Sequence, residues 1–164
     1  MNRIDVTQIG DNPFKMIGKD WMLITAGDIN NYNTMTASWG GVGVLWNKNV
    51  VTTYIRPQRY TKEFVDNNDV FTISVFDEKY RNALSFCGTK SGRDFDKAKE
   101  TGLTPIEIDE SVAFLQARLV LVCKKLYVDE IKPQCFLDEK IDENYKLKDY
   151  HTIYIGEILA VYEN

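Results

Sequence analysis

Two arginines, a run of hydroxyls and a glycine-rich loop carry most of the chemistry this sequence has to offer. In Arg56-Pro57-Gln58-Arg59-Tyr60-Thr61, Pro57 cannot donate to a ladder and ends a strand. Thr61 is placed as the N-cap of a short helix that ends at Asn67-Asn68. Unpaired backbone N–H groups at such a helix start, with Arg56 and Arg59 beside them, would hold a phosphate or a carboxylate. The same arginines would serve equally as solvated charges or as partners of surface carboxylates. Gly88-Thr89-Lys90-Ser91-Gly92-Arg93-Asp94 brings glycines, hydroxyls and a lysine together, the ingredients of an anion cradle. It is not a Walker A loop, because Lys90 precedes Gly92 where that motif needs lysine after its second glycine. ATP or GTP hydrolysis is therefore not supported.

A second candidate is the stretch from Asn33 to Ile55. Thr34-Met35-Thr36-Ala37-Ser38-Trp39 mixes hydroxyls with strand formers and reads as extended. Gly40, Gly41 and Gly43 then let a backbone or a flat ligand come close. The chain turns at Asn47-Lys48-Asn49 into a strand from Val50 to Ile55. The pair fits a ligand wall, and it fits an ordinary hairpin with a loose turn.

Thiols and imidazole offer less. Cys87, Cys123 and Cys135 are odd in number and lack Cys-x-x-Cys spacing, which suits reduced thiols in a cytosol better than disulfides or zinc. Cys123 sits in an apolar rhythm and reads as core, whereas Cys87, beside the polar loop, is the thiol to watch. His151 is the only histidine, so a histidine-rich metal site is not expected. A lone histidine at the start of a strand is more often structural than catalytic.

These residues need a frame, and 164 residues at 44% hydrophobic suffice for one domain over 1–164 with one good core. A formal net charge of -4 argues against non-specific nucleic-acid binding. No stretch nears the roughly 20 apolar residues needed to cross a bilayer. The first residues lack the apolar core of a secretory signal, so a cytoplasmic protein is expected, with no membrane or nucleic-acid partner.

In chain order, 1–18 forms a lead-in arm whose Phe14, Met16 and Ile17 are expected to tuck into the core. Trp21 to Ala26 is a strand buried on both faces, and Val70 to Phe76 an alternating one. Glu78 to Phe86 and Asp94 to Thr101 read as short helices, the latter closed by Gly102. Ala113 to Val128 supplies a bent strand or two. A charged surface excursion, Ile131 to Asp149, precedes a long last strand ending at Tyr162. Helices fall in only one part of the chain, so parallel βαβ alternation is not expected. The expected closure is a small antiparallel barrel with a helical flank.

Four motifs in order carry a resemblance over most of the chain. They are Asn33-x-Met35-Thr36-x-Ser38-Trp39-Gly40, Arg56-Pro57-x-Arg59-Tyr60-Thr61, Ser85-x-Cys87-Gly88 with Lys90-Ser91-Gly92, and His151-Thr152-Ile153-Tyr154-Ile155-Gly156-Glu157. The set resembles the flavin reductase-like family of FMN-binding split barrels, and within it the flavoredoxin-type branch. The resemblance implies a mainly β fold, a six-stranded antiparallel split β-barrel with a few short flanking helices. It also implies a homodimer with one FMN per subunit near the interface.

By the same resemblance, Asn33, Thr34, Met35, Thr36, Ala37, Ser38 and Trp39 lie along the flavin ring and ribityl chain. Arg56, Arg59, Thr61, Ser85, Cys87, Gly88, Lys90 and Ser91 help hold the ribityl and phosphate, and His151 lies near the flavin or nicotinamide. The implied activity passes electrons from NAD(P)H through FMN to an acceptor. The alternative is an electron carrier with tightly bound FMN, a redox protein partner and no NAD(P)H activity of its own. No Gly-x-Gly-x-x-Gly fingerprint occurs, so NAD(P)H would bind loosely over the flavin.

Overall fold

A computed structural model describes all 164 residues. The elements run β1 (Asn2–Ile4), α1 (Pro13–Lys15), β2 (Met22–Asp28), β3 (Asn31–Ala37), β4 (Gly40–Leu45) and β5 (Lys48–Ile55). Then come α2 (Tyr60–Asn67), β6 (Val70–Val75), α3 (Arg81–Thr89), α4 (Lys97–Thr101), β7 (Pro105–Ile108), β8 (Ser111–Phe114), β9 (Leu119–Glu130) and β10 (Thr152–Glu163).

Every strand pair is antiparallel. The main sheet runs β3-β2-β6-β9-β10-β5-β4, with β1 added to β10 and β7–β8 a separate hairpin. Six of these strands, from β3 round to β5, form the barrel wall. β3 and β5 approach each other but share no ladder, and that gap is the split. Register shifts in the β9–β10 ladder lie at Ile155/Gly156 and Ile158/Ala160. Such bulges raise local twist and let long strands curl into a barrel.

Two apolar layers follow from the strand alternation. Met22, Ile24 and Ala26 of β2 join Phe71, Ile73 and Leu121 in the inner cluster. Leu23 faces the outer cluster with Leu84, Cys87, Phe114 and Val120, beneath α3 and the β7–β8 hairpin. Burial on both faces explains the unbroken apolar run of β2. β6 departs from the expected alternation, because Thr72 and Ser74 are buried as well. Thr72 satisfies its hydroxyl by donating to the Val112 carbonyl at 2.6 Å.

Three local expectations need correction. Met16 and Ile17 are buried, but Phe14 is 87% exposed, since the α1 turn points it outward. The β4–β5 turn sits at Trp46 and Asn47, both with positive φ, and Lys48 is already paired to Leu45. The N-cap of α2 is Arg59, without a side-chain cap, and Thr61 lies inside the helix.

Candidate functional site

The end of β3, β5, the start of α2 and His151 just before β10 converge on one groove. Met35, Thr36, Ala37, Ser38, Trp39, Tyr54, Arg56, Arg59 and His151 line a cavity of about 260 Å³. An adjoining apolar hollow of about 600 Å³ shares Ser38, Trp39 and Tyr54 and is walled by Ile17, Val42, Ile141 and Tyr145. The smaller space alone falls below the roughly 300–1,000 Å³ of ligand pockets, and the larger lies inside it.

Hydrogen bonds fix β3 against the helices. Asn33 donates to the Thr61 hydroxyl at 2.8 Å, and the Thr36 hydroxyl donates to the Leu84 carbonyl. Arg59 donates to the Gly88 carbonyl at 2.6 Å and reaches the Cys87 carbonyl at 3.4 Å. Lys97, buried, donates to the Thr34 carbonyl at 2.7 Å and the Cys87 carbonyl at 3.0 Å. Two cations thus meet the partial negative charge at the end of α3. Burial lowers the pKa of both, that of Lys97 to about 8.

Arg56 also lines the cavity, but its guanidinium is held by the excursion that precedes β10. It pairs with Asp149 at 2.6 Å, donates to the Asn144 carbonyl at 3.0 Å and stands 5.1 Å over the Tyr145 ring. Gln58 also donates to Asp149, at 2.7 Å. These bonds, that of Gln58 first, hold the Asp149 carboxyl below its ordinary range. The excursion from Ile131 to Asp149 is therefore not only surface: Tyr145 is buried at the groove.

His151 is 7% exposed, with Nδ1 2.9 Å from the Tyr145 hydroxyl and its ring 5.1 Å from Trp39. Burial, then the charge of Arg56, pushes its pKa down to about 4, against a smaller upward pull from Asp149. The imidazole is neutral at physiological pH. The unfolded chain, with an ordinary histidine near 6.5, takes a proton that the folded chain refuses until about pH 4. Stability should therefore fall as pH drops through that window and show no His151 dependence above it. Urea midpoints of wild type and His151→Phe should converge as pH falls from about 6.5 to 4. A constant gap between them would show that His151 titrates normally.

The remaining residues named by resemblance lie around the groove, outside the cavity lining. Asn33, Thr34 and Thr61 are buried behind it. The Cys87 side chain points into the outer cluster, where burial pushes the thiol up to about 11, so it stays protonated. Ser85 is exposed, Gly88 half-buried, and Lys90 exposed with Nζ 5.6 Å from the Phe95 ring. Ser91 accepts from the Arg93 N–H at 3.1 Å. Arg93 pairs with Glu63 and lies 4.4 Å over Tyr60, at the start of α2. Sequence reading passed over Lys97, Tyr54, Arg93 and Tyr145. Arg93 had a signal in lying within the Gly88 loop and Lys97 a fainter one in following it closely, and Tyr145 had none.

A family model described as "Flavin reductase like domain" matches residues 15–164. The chain belongs to this family. The family's fold recurs in solved structures that are too distant in sequence to show more than the fold. An FMN-binding domain of a flavin reductase-like enzyme from Shewanella baltica has a TM-score of 0.71 at 15% identity, covering 99% of this chain and 76% of that one. Flavoredoxin of Desulfovibrio vulgaris gives 0.68 at 21% identity, covering 100% and 77%. An FMN-binding protein from Thermus thermophilus with bound 1-cyclohex-2-enone gives 0.69 at 17%, covering 99% and 80%. Among curated proteins none matches. The split-barrel expectation is thus met by family and fold alike.

Proposed function

We propose that this flavin reductase-like chain binds FMN in the groove between β3, β5 and α2 and passes electrons from NAD(P)H through it to an acceptor. The observation that carries this reading is the convergence of aromatic side chains and cations on one cavity. Trp39, Tyr54 and His151 offer flat walls for a ring, while Arg59 stands at the uncapped start of α2 where a phosphate is favoured. When bound, FMN supplies the electron chemistry and the protein supplies binding and orientation. The β3 backbone and the Thr36 and Ser38 hydroxyls orient the ring system, and His151 adds a neutral imidazole. No helix is long and apolar enough to cross a membrane, and we place the protein in the cytoplasm, where its three free cysteines would stay reduced.

The proposal includes a homodimer with FMN near the interface. β4 is an open edge with Val44 73% exposed, and in the turn that follows it Trp46 is 53% exposed and lies 6.2 Å from the Tyr127 ring. An unpaired edge with exposed apolar side chains is a ready surface for a second copy.

Absorbance of the purified protein under anaerobic conditions tests the reading. Yellow protein that bleaches with NADH or NADPH supports it and names the donor. Yellow protein that stays oxidised until dithionite is added supports the carrier instead. Colourless protein that ignores added FMN overturns both. Lys90→Ala, which removes an exposed charge, should raise the FMN dissociation constant about ten- to hundred-fold for a charge-assisted contact of about 1.5–3 kcal/mol. Arg56→Ala should raise it less, because the Arg56 guanidinium is already held by Asp149. Unchanged constants in both variants would place the phosphate elsewhere.

A further inference from the structure

The excursion between β9 and β10 delivers a single hydroxyl to the imidazole of the groove. Its end is anchored where Asp149 meets Arg56 and Gln58, and where the Asn144 carbonyl accepts from Arg56. That anchorage leaves Tyr145 4% exposed, its hydroxyl 2.9 Å from His151 Nδ1 and without any other partner in the protein. A buried phenol must place its proton on an acceptor, and Nδ1 is the one within reach. An Nδ1 that accepts leaves the imidazole proton on Nε2. Nε2 has no partner within the protein and is not among the polar atoms sealed from solvent, while the ring itself lines the cavity.

We infer that Tyr145 is a positioning residue whose hydroxyl holds His151 in the Nε2–H tautomer, so that the cavity presents an uncharged N–H donor. Such a donor suits a neutral carbonyl or ring-nitrogen acceptor on a ligand better than an anion. The charged groups near the ring are consistent with that: Arg56 opposes an imidazolium, and Asp149 is already committed to Arg56 and Gln58; the Tyr54 ring stands nearly perpendicular to the imidazole at 6.4 Å. That the acceptor belongs to a flavin rests on the function proposed above; the tautomer does not.

Because His151 is the only histidine, nitrogen-15 NMR of the full chain reads this one ring without assignment. Long-range proton–nitrogen spectra near neutral pH should show a single Nε2–H tautomer, as purified and after adding FMN. In Tyr145→Phe, which keeps the ring and drops the hydroxyl, the single-tautomer pattern should be lost to a mixture of both forms. An Nδ1–H pattern in the wild type overturns the inference, whether or not the variant folds. An unchanged Nε2–H pattern in the folded variant overturns it as well. Since the first spectrum needs no flavin, the inference can fail while flavin binding stands, and the reverse.

Discussion

Gly27→Ala should lower the unfolding free energy by about 3 kcal/mol or more, as read from urea denaturation. Gly27 has φ +111°, a region that residues with a side chain rarely adopt. A Cβ there would lie 2.2 Å from the Asn31 carbonyl oxygen and 2.7 Å from the Tyr32 Cα. Both are backbone atoms of β3, so no side-chain rotation relieves the clash. Relief requires β3 to move, and β3 carries Asn33 to Ala37 into the groove. Against a typical total of about 5–15 kcal/mol, such a loss is a large share of the stability. A midpoint equal to wild type would mean that the hairpin re-forms with a different turn at no cost.

Arg59→Ala is expected to damage the fold and the site together. Removing the guanidinium leaves the Gly88 carbonyl without its donor, and the Cys87 carbonyl depends on Lys97 alone. Hydrogen bonds to charged groups contribute about 1.5–3 kcal/mol, so a stability loss in that range is expected. FMN affinity should fall about hundred-fold, because the start of α2 and the end of α3 lose their bridge as well as a phosphate-directed charge. Arg59→Lys keeps the charge but cannot span both carbonyls with a planar fork, so it should recover only part of the affinity. Full recovery by lysine would reduce the role of Arg59 to charge alone.

Much of the frame was legible because it rests on local signals. The unbroken apolar run announced a doubly buried strand, which begins at Met22, since Trp21 turns at φ 67°, and ends at Asp28. Gly102 closes α4 in the left-handed region, where glycine is favoured. The absence of strand–helix alternation predicted antiparallel pairing, and every pair obeys it. Where expectation failed, a distant partner had overridden the local pattern. Thr72 and Ser74 of β6 read as a polar face until the β7–β8 hairpin covers them. Thr61 has the chemistry of an N-cap, but Asn33, 28 residues away, uses its hydroxyl instead.

The sequence by itself determined the antiparallel barrel, the segments that form its walls and the four motifs that mark its family, because strand burial and turn chemistry are written within a few residues. Only the tertiary structure decided how the charges are spent. It sends Arg56 to Asp149, sets Arg59 and Lys97 on one carbonyl of α3, and brings Tyr145 against His151. The partners of Arg59, Arg56 and Lys97 lie 28 to 93 residues away except where Lys97 meets Cys87, ten residues off. Such pairings depend on which strands close the barrel, and hydrophobic periodicity has no record of them.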